Sequence, residues 1–223
     1  MIALIKEKID EYKRMTAGLT LKEKIKDYFW EYYKAHIAVG IFALSIVGSM
    51  IHSTLTHRDN FVTIAFLENH VHYLTLNHIE RTIIDELMQG RNREVARTLI
   101  FPLDSVDPSI TRIQRQRFST LFTVGELDIL ITNGSDFDGL TAQGTFFRLD
   151  EILSEDELYI LADYLVHNYN GEPFGINLQN MSHSVFTEAN YPSYDRVLGI
   201  PTNTTRLENA LKTFRLLLIK TEA

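Results

Sequence analysis

The chain has 223 residues, 45% of them hydrophobic, which is enough for one substantial domain with an appendage. It contains no cysteine, which excludes disulfide bonds, zinc–thiolate sites, cysteine nucleophiles and lipid attachment through an N-terminal cysteine. Residues 1–34 carry a net charge of +2 and the remainder −9, for a total of −7, and so acidic a remainder argues against nucleic acid as a partner.

Residues 1–34 are predicted to form an amphipathic helical leader. The first helix is indicated by apolar residues at helical spacing, namely Ile2, Ile5, Ile9 and Tyr12. Gly18 ends this segment, and Thr20-Leu21-Lys22-Glu23 is a capping-box pattern that begins a second helix. Two interpretations of the second helix stay open: it lies among membrane headgroups, or it packs on a cytoplasmic partner.

Residues 35–52 are predicted to be a single-pass transmembrane helix. Ala35 to Ile51 is free of formal charge and would span roughly 25 Å as a helix, the short end of what a bilayer core requires. Trp30 and Tyr33 precede it, where an aromatic belt would lie. A cleaved signal peptide and a buried helix are the alternatives, and the long leader and aromatic flank favour a retained anchor.

The basic residues around this span predict its orientation. Arg58 is the one Lys or Arg in the twenty-five residues that follow it. Four lysines precede it: Lys22, Lys24, Lys26 and Lys34. The positive-inside rule therefore places the N-terminus in the cytoplasm and the C-terminal domain outside the cell. Small residues on one helical face, Ser45, Gly48 and Ser49, would allow close contact with another membrane protein, such as a transporter permease.

After a polar linker at residues 53–60, residues 61–223 are predicted to be an α/β domain. Strand-like and helix-like segments alternate, and the clearest strands are Phe61–Leu67, Val95–Phe101 and Leu127–Thr132. Capping patterns predict the helix starts: Asn77 to Glu80, Asp107-Pro108, Ser154 to Glu157 and Thr205 to Glu208. This alternation predicts parallel β-α-β units in a three-layer sandwich, with further strands at Pro173–Leu178 and Val197–Pro201.

Three stretches of this domain resemble the extracytoplasmic, sugar-type solute-binding proteins of bacterial ABC importers. They are GELDILITNGSDFDGLTAQGTFFRLDEIL (125–153), EPFGINL (172–178) and VLGIPTNTTRLENALKTFRLLL (197–218). The resemblance implies one lobe of a type II periplasmic-binding-protein fold, because the chain is much shorter than those proteins. The layout of leader, span and small domain also resembles a group of small membrane-anchored proteins of Gram-positive bacteria.

Four residues are the candidate ligand-binding set: Glu68, Asn69, Asn133 and Asp136. They follow the first and third predicted strands, and open α/β sheets bind ligands outside the carboxyl ends of their strands. A zinc site from Glu68 with His70 and His72 lacks a fourth ligand, and a calcium loop around Asp136 lacks its first and last carboxylates. Ser135 or Asn133 is instead expected to cap a helix.

The sequence contains neither a nucleophile elbow nor a glycine-rich phosphate loop, so we predict no catalytic residues, no metal and no cofactor. The leading hypothesis is an anchored, extracytoplasmic, non-catalytic binding or interaction module beside a transporter or other membrane complex. A true receptor for a sugar or peptide is the first alternative. A hydrolase that uses Asp136 or Asp150 as acid or base is the second.

Overall fold

The structure is a computed structural model that describes residues 2–15, 17–18, 20, 30–56, 58–68, 71–90, 93–103, 107–181 and 184–219. It divides into two compact units, Met1–His57 and Arg58–Ala223.

The first unit contains helices α1 (Ile2–Met15) and α2 (Trp30–Thr56). Helix α1 has the predicted position, whereas most of the predicted capping box after Gly18 lies outside the described residues. Helix α2 has 27 residues and continues into the segment predicted as a linker. Over the described residues, no helix combines the length and apolarity needed to cross a bilayer. The transmembrane helix expected at residues 35–52 is therefore not shown, although those residues are helical.

The second unit is an α/β fold around one six-stranded sheet in the order β2-β1-β3-β6-β5-β4. Its strands are β1 (Asp59–Phe66), β2 (Glu94–Ile100), β3 (Ile129–Asn133), β4 (Leu165–His167), β5 (Pro173–Asn177) and β6 (Arg196–Gly199). Its α-helices are α3 (Tyr73–Leu87), α4 (Pro108–Thr123), α5 (Gly134–Ala142), α6 (Leu149–Ile152), α7 (Glu155–Ile160), α8 (Val185–Glu188) and α9 (Leu207–Leu218).

Strands β2, β1 and β3 are parallel, as the alternation of strands and helices predicts. Strands β6, β5 and β4 continue the sheet in antiparallel pairs. The chain first passes from β1 to β2 on one side of it, and the next crossover then carries it to β3 on the other side of β1. The carboxyl ends of β1 and β3 therefore form a topological switch point, which is where open α/β sheets bind ligands.

Helices cover both faces of the sheet. In β1, Ile64 and Phe66 belong to one buried cluster, which also contains Ile83 of α3 and Phe214 of α9. Ala65 belongs to the other cluster, together with aromatic side chains of α4 and α5, namely Phe118, Phe122 and Phe137. Successive side chains of a strand point to opposite faces, so both faces of β1 are buried from Phe61 onward, and this part of the strand is apolar except for Thr63.

The predicted start of α3 is wrong by five residues, because the predicted N-cap is Asn77 and the observed N-cap is His72. The helix begins at Tyr73, and His72 caps it by accepting from the backbone N–H of Leu74. Glu80, which was expected to close a capping box, instead accepts hydrogen bonds from the backbone N–H and the hydroxyl of Thr98 in β2, both at 2.7 Å. The tertiary contact with the neighbouring strand uses the carboxylate that the local pattern assigned to the cap.

Helix α4 has the predicted cap, because Asp107 accepts from the backbone N–H of Ser109 at 2.8 Å and Pro108 is its first residue. Apolar residues in its sequence predict a buried face of Ile110, Ile113, Phe118, Leu121 and Phe122, and this prediction is wrong in part. Ile110 and Ile113 are exposed, and none of the described helix residues is fully buried. The side chains of α4 that pack on the buried cluster are Phe118, Leu121 and Phe122, all in its second half.

Candidate functional site

Two of the four predicted ligand residues lie at the switch point as expected. Glu68 follows β1 and Asn133 is the last residue of β3. The two strands are directly paired, since the backbone N–H of Leu67 donates to the carbonyl of Ile131 at 2.8 Å. Asp136 lies in the first turn of α5. Asn69 is outside the described residues.

The Glu68 carboxylate is buried, with 8% of the residue exposed. Its Oε1 accepts a hydrogen bond from the Tyr191 hydroxyl and lies 2.9 Å from Nε of Arg196. Burial and the adjacent negative charge of Glu68 raise the pKa of the Tyr191 phenol well above its usual value, so the phenol stays protonated and donates. The Arg196 guanidinium therefore neutralises the charge of the Glu68 carboxylate, and the Tyr191 hydroxyl donates a hydrogen bond to it.

Asn133 and Asp136 form a second pair at the same edge. The side-chain oxygen of Asn133 accepts from the backbone N–H of Asp136 at 2.8 Å, and its amide nitrogen donates to Asp136 Oδ2 at 2.8 Å. Asn133 is thus the N-cap of α5, one of the two caps that the sequence allowed. The segment around Asp136, whose sequence lacks the first and last carboxylates of a calcium loop, forms the first turns of this helix.

Arg196 connects the two pairs. It is the first residue of β6 and lies opposite Asn133 in the antiparallel β3–β6 ladder. Asp195 is close by, because a Cβ added at Gly134 would lie 2.9 Å from Asp195 Oδ1. We call Glu68, Asn133, Asp136, Tyr191 and Arg196 the carboxyl-edge cluster.

Sequence reasoning missed Tyr191 and Arg196. Neither residue lies in a spacing pattern, and both follow the parallel strands by more than fifty residues. Only the placement of β6 beside β3 brings them to Glu68. The one local signal is that Arg196 immediately precedes a predicted buried strand, a position where a charged residue is common.

A zinc site of Glu68, His70 and His72, which lacks a fourth ligand in the sequence, gains no support from the described residues. His72 caps α3, and His70 is outside the described residues. Within the described ranges, no group of three or more histidine, aspartate or glutamate side chains is arranged to hold a metal ion.

A second polar cluster lies at the opposite, amino edge of the sheet. Arg206 is bound to two carboxylates: Nη2 lies 3.0 Å from Asp128 Oδ2, and Nη1 lies 3.1 Å from Glu126 Oε2. Asp128 is fully buried and also accepts from the backbone N–H of Thr63 at 2.7 Å. These contacts join the start of β3 to β1 and to the start of α9. They serve the fold, since each carboxylate is bound by groups of the same chain.

The comparisons with known proteins identify no family. No protein-family model matches the chain, and no curated protein matches it. Among solved structures, it is similar to an extracellular solute-binding protein family 1 from Alicyclobacillus acidocaldarius subsp. acidocaldarius DSM 446, with a TM-score of 0.31 and 13% identity. That match covers 54% of this chain and 28% of that chain, so this chain spans well under half of its length. A likeness at this TM-score and identity carries no argument about the fold or the activity of this chain.

Proposed function

We propose that the protein is a membrane-associated, non-catalytic binding or interaction module that acts beside a transporter or another membrane complex. The observation that carries this proposal is the surface of α2. Its described side chains are apolar and exposed nearly all round the helix, with Phe42 at 68% and Leu44 at 73% exposure. A helix that is apolar all round is normally covered by protein or lipid.

A membrane is the cover that the neighbouring sequence favours. No formal charge interrupts the run from Ala35 to Ile51, whereas lysines are concentrated just before it. Lysine side chains at the end of an apolar helix extend toward headgroups and anionic lipids. The orientation predicted from these lysines, with the α/β unit outside the cell, stays a prediction.

The carboxyl-edge cluster supports a non-catalytic role. A general acid or base needs a free proton acceptor or donor within reach of a substrate. Glu68 is already bound by Arg196 and Tyr191, and Asp136 is bound by Asn133. These contacts fix the positions of the side chains at this edge of the sheet, which suits a surface that binds a partner without catalysing a reaction.

The alternative function is a true solute receptor for a sugar or peptide. A cavity of about 300 Å³ between α5 and β4 favours it, because aromatic and hydrogen-bonding side chains line it together. The lining includes Phe137, His167, Asn168 and Tyr169. Small-molecule sites combine apolar and aromatic walls with a few polar groups in this way.

Fractionation of cells that express the full chain tests the proposal. We expect the protein in the membrane pellet, resistant to washing with high salt and released by detergent. The variant Phe42→Lys with Leu44→Lys places two charges on the apolar surface and should move it to the soluble fraction. The matched control, Lys6→Gln with Lys8→Gln on α1, should stay in the pellet. Wild-type protein in the soluble fraction would contradict the membrane assignment.

Crosslinking in the native membrane tests the partner. We expect a transporter subunit or another membrane protein to be captured through residues of α2 or the α/β unit.

Calorimetric screening of the full chain against sugars and peptides tests the alternative function, since a saturable micromolar ligand would favour a receptor over an interaction module.

A further inference from the structure

A cavity of about 520 Å³ lies beside the second half of α4, toward the amino edge of the sheet. Its floor is formed by Asn60 and Thr63 of β1 and by Arg97 of β2, and its wall by residues of α4 that include Gln116 and Arg117. This volume is within the range of small-molecule sites. The cavity is at the other end of β1 from the carboxyl-edge cluster and shares no residue with it.

An irregularity in β1 brings two polar side chains to this cavity. Residues 60 and 63 would point to opposite faces in a regular strand. The pairing of β1 with β2 shifts register between Asn60 and Val62, as at a β-bulge. Asn60 and Thr63 therefore both line the same cavity, on the face that carries α4. Bulges re-aim side chains in this way beside functional sites.

Both side chains have a buried atom without a partner. Thr63 is 3% exposed, and neither its hydroxyl oxygen nor the amide oxygen of Asn60 has a hydrogen-bond partner among the described residues. The amide nitrogen of Asn60 is used, since it donates to Glu126 Oε2 at 3.1 Å. A buried polar atom left without a hydrogen-bond partner is unfavourable. The two oxygens thus mark where a ligand hydroxyl would bind.

The charged groups of the lining are mainly cationic. Arg117 has its guanidinium 5.4 Å from the centre of the Phe101 ring, and no ion pair within 4 Å is seen for Arg97 or Arg117 among the described residues. The one carboxylate of the lining, Glu126, is already held by Asn60 and Arg206, and the Asn60 hydrogen bond lowers the pKa of its carboxyl group. Arg97 and Arg117 are exposed, and Arg97 lies close enough to help lower the pKa of Glu126. Two guanidiniums beside one already hydrogen-bonded carboxylate favour an anion.

We propose that this cavity binds a small organic anion that also carries hydroxyl groups. The anionic group lies against Arg97 and Arg117, and a hydroxyl donates to the Asn60 amide oxygen while a neighbouring one bonds the Thr63 hydroxyl. The apolar side chains of Leu99 and Leu121 in the lining contact the carbon chain of the ligand. This site is independent of the proposed function at the membrane and of the cavity at α5.

Calorimetry with purified full-length protein in detergent tests the site with four probes. Gluconate carries a carboxylate and hydroxyls, glucose 6-phosphate carries a phosphate and hydroxyls, glucose lacks the charge, and butyrate lacks the hydroxyls. We expect gluconate or glucose 6-phosphate to bind, and their relative affinity distinguishes a hydroxycarboxylate from a sugar phosphate. Glucose and butyrate should bind at least about tenfold more weakly, because each lacks one set of contacts.

Three variants place the binding in this cavity. Arg97→Gln with Arg117→Gln should weaken binding of the anionic probe about tenfold or more. Thr63→Val keeps the shape of the side chain and should weaken binding severalfold while leaving the melting temperature of the unliganded protein equal or higher, because an unpartnered hydroxyl is removed. Arg81→Gln, an exposed arginine on α3 across the sheet, is the matched control and should bind like wild type.

The proposal is overturned if neither hydroxylated anion binds, in which case water fills the cavity. It is equally overturned if glucose and butyrate bind as well as the hydroxylated anions. Binding that is unchanged in both the double arginine variant and Thr63→Val would place the ligand elsewhere and also overturn it.

Discussion

Nε of Arg196 lies 2.9 Å from Oε1 of Glu68, and this contact joins the antiparallel half of the sheet to its parallel half. Arg196 begins β6, and Glu68 follows β1 two strands away in the sheet. The side chain of Arg196 is about one-quarter exposed, whereas that of Glu68 is almost fully buried. A buried carboxylate needs such a partner, because an unpaired charge in the interior is strongly unfavourable.

Removal of Arg196 should therefore destabilise the α/β unit. We expect Arg196→Met to lower the free energy of unfolding by about 2–4 kcal/mol, because Glu68 would stay buried with only the Tyr191 hydroxyl as a partner. Urea denaturation followed by circular dichroism measures this loss.

The double variant Glu68→Gln with Arg196→Met is the control, because it removes the buried charge as well. It should recover more than half of the loss, since the glutamine oxygen can still accept from Tyr191. A loss as large in the double variant as in Arg196→Met would show that the charge is not the cause.

The stability of the α/β unit should fall at low pH through Glu157. Arg215 donates to its carboxylate and, as the largest cause, lowers the Glu157 pKa from 4.5 to about 2. Because the pKa of Glu157 is lower in the folded state than in the unfolded state, the ion pair contributes its full stability at pH values above about 4.5. This stability is lost as the pH falls from about 4.5 toward 2. We expect a contribution of about 1 kcal/mol, because Arg215 is partly exposed and solvent screens the pair.

Urea denaturation at pH 6 and pH 3 measures this contribution. Glu157→Gln keeps the capping pattern with Ser154 and removes the charge, so it should be less stable than wild type at pH 6 and closer to it at pH 3. Glu155→Gln, in the same helical turn, is the matched control and should leave the difference between the two pH values nearly unchanged. An equal pH dependence in wild type and Glu157→Gln would exclude the pair as its source.

Gly199 of β6 should tolerate no side chain. A Cβ there would lie 2.7 Å from Phe146 Cδ1 and 2.9 Å from Phe137 Cε2, and these two rings are stacked with centroids 4.5 Å apart. Gly199→Ala should lower the free energy of unfolding by about 1–3 kcal/mol, because the packed rings must shift.

Gly139 gives the matched control in the same unit. It lies within α5, and an added Cβ would meet nothing within 4 Å. Gly139→Ala should raise the free energy of unfolding by about 0.5–1 kcal/mol, since alanine restricts the unfolded chain and favours helix. Thermal or urea denaturation should show changes of opposite sign in the free energy of unfolding for the two variants. A Gly199→Ala protein as stable as wild type would show that the Phe137 and Phe146 rings can shift at little cost.

The orientation predicted from the leader lysines is tested by protease added to intact protoplasts. We expect residues 58–223 to be degraded and a leader fragment to survive, because lysines before an apolar helix are retained in the cytoplasm. A variant that replaces the four lysines by glutamine and adds lysines at Ser53 and Thr56 should give mixed orientations. If residues 58–223 are cut only after lysis, the exported orientation is wrong.

The sequence by itself determined the local elements and the parallel half of the sheet. The caps formed by Asp107 and by Ser154 with Glu157 need only residues within one helical turn, and the structure confirms both. The order of β1, β2 and β3, with a helix after each of the first two, favours parallel strands because parallel neighbours are usually joined by a crossover helix, and the structure confirms this pairing. The position of Glu68 and Asn133 at one edge follows from that topology.

Only the tertiary structure decided which side chains meet at the two edges. Tyr191 reaches Glu68 from 123 residues away, and no spacing pattern predicts a contact between residues so distant in the chain. Glu80 bonds Thr98 of the neighbouring strand rather than its own helix cap, since the packed contact satisfies two donors. Likewise, Asn60 and Thr63 share a cavity because β1 shifts register against β2, a property of the pair of strands and not of either sequence alone.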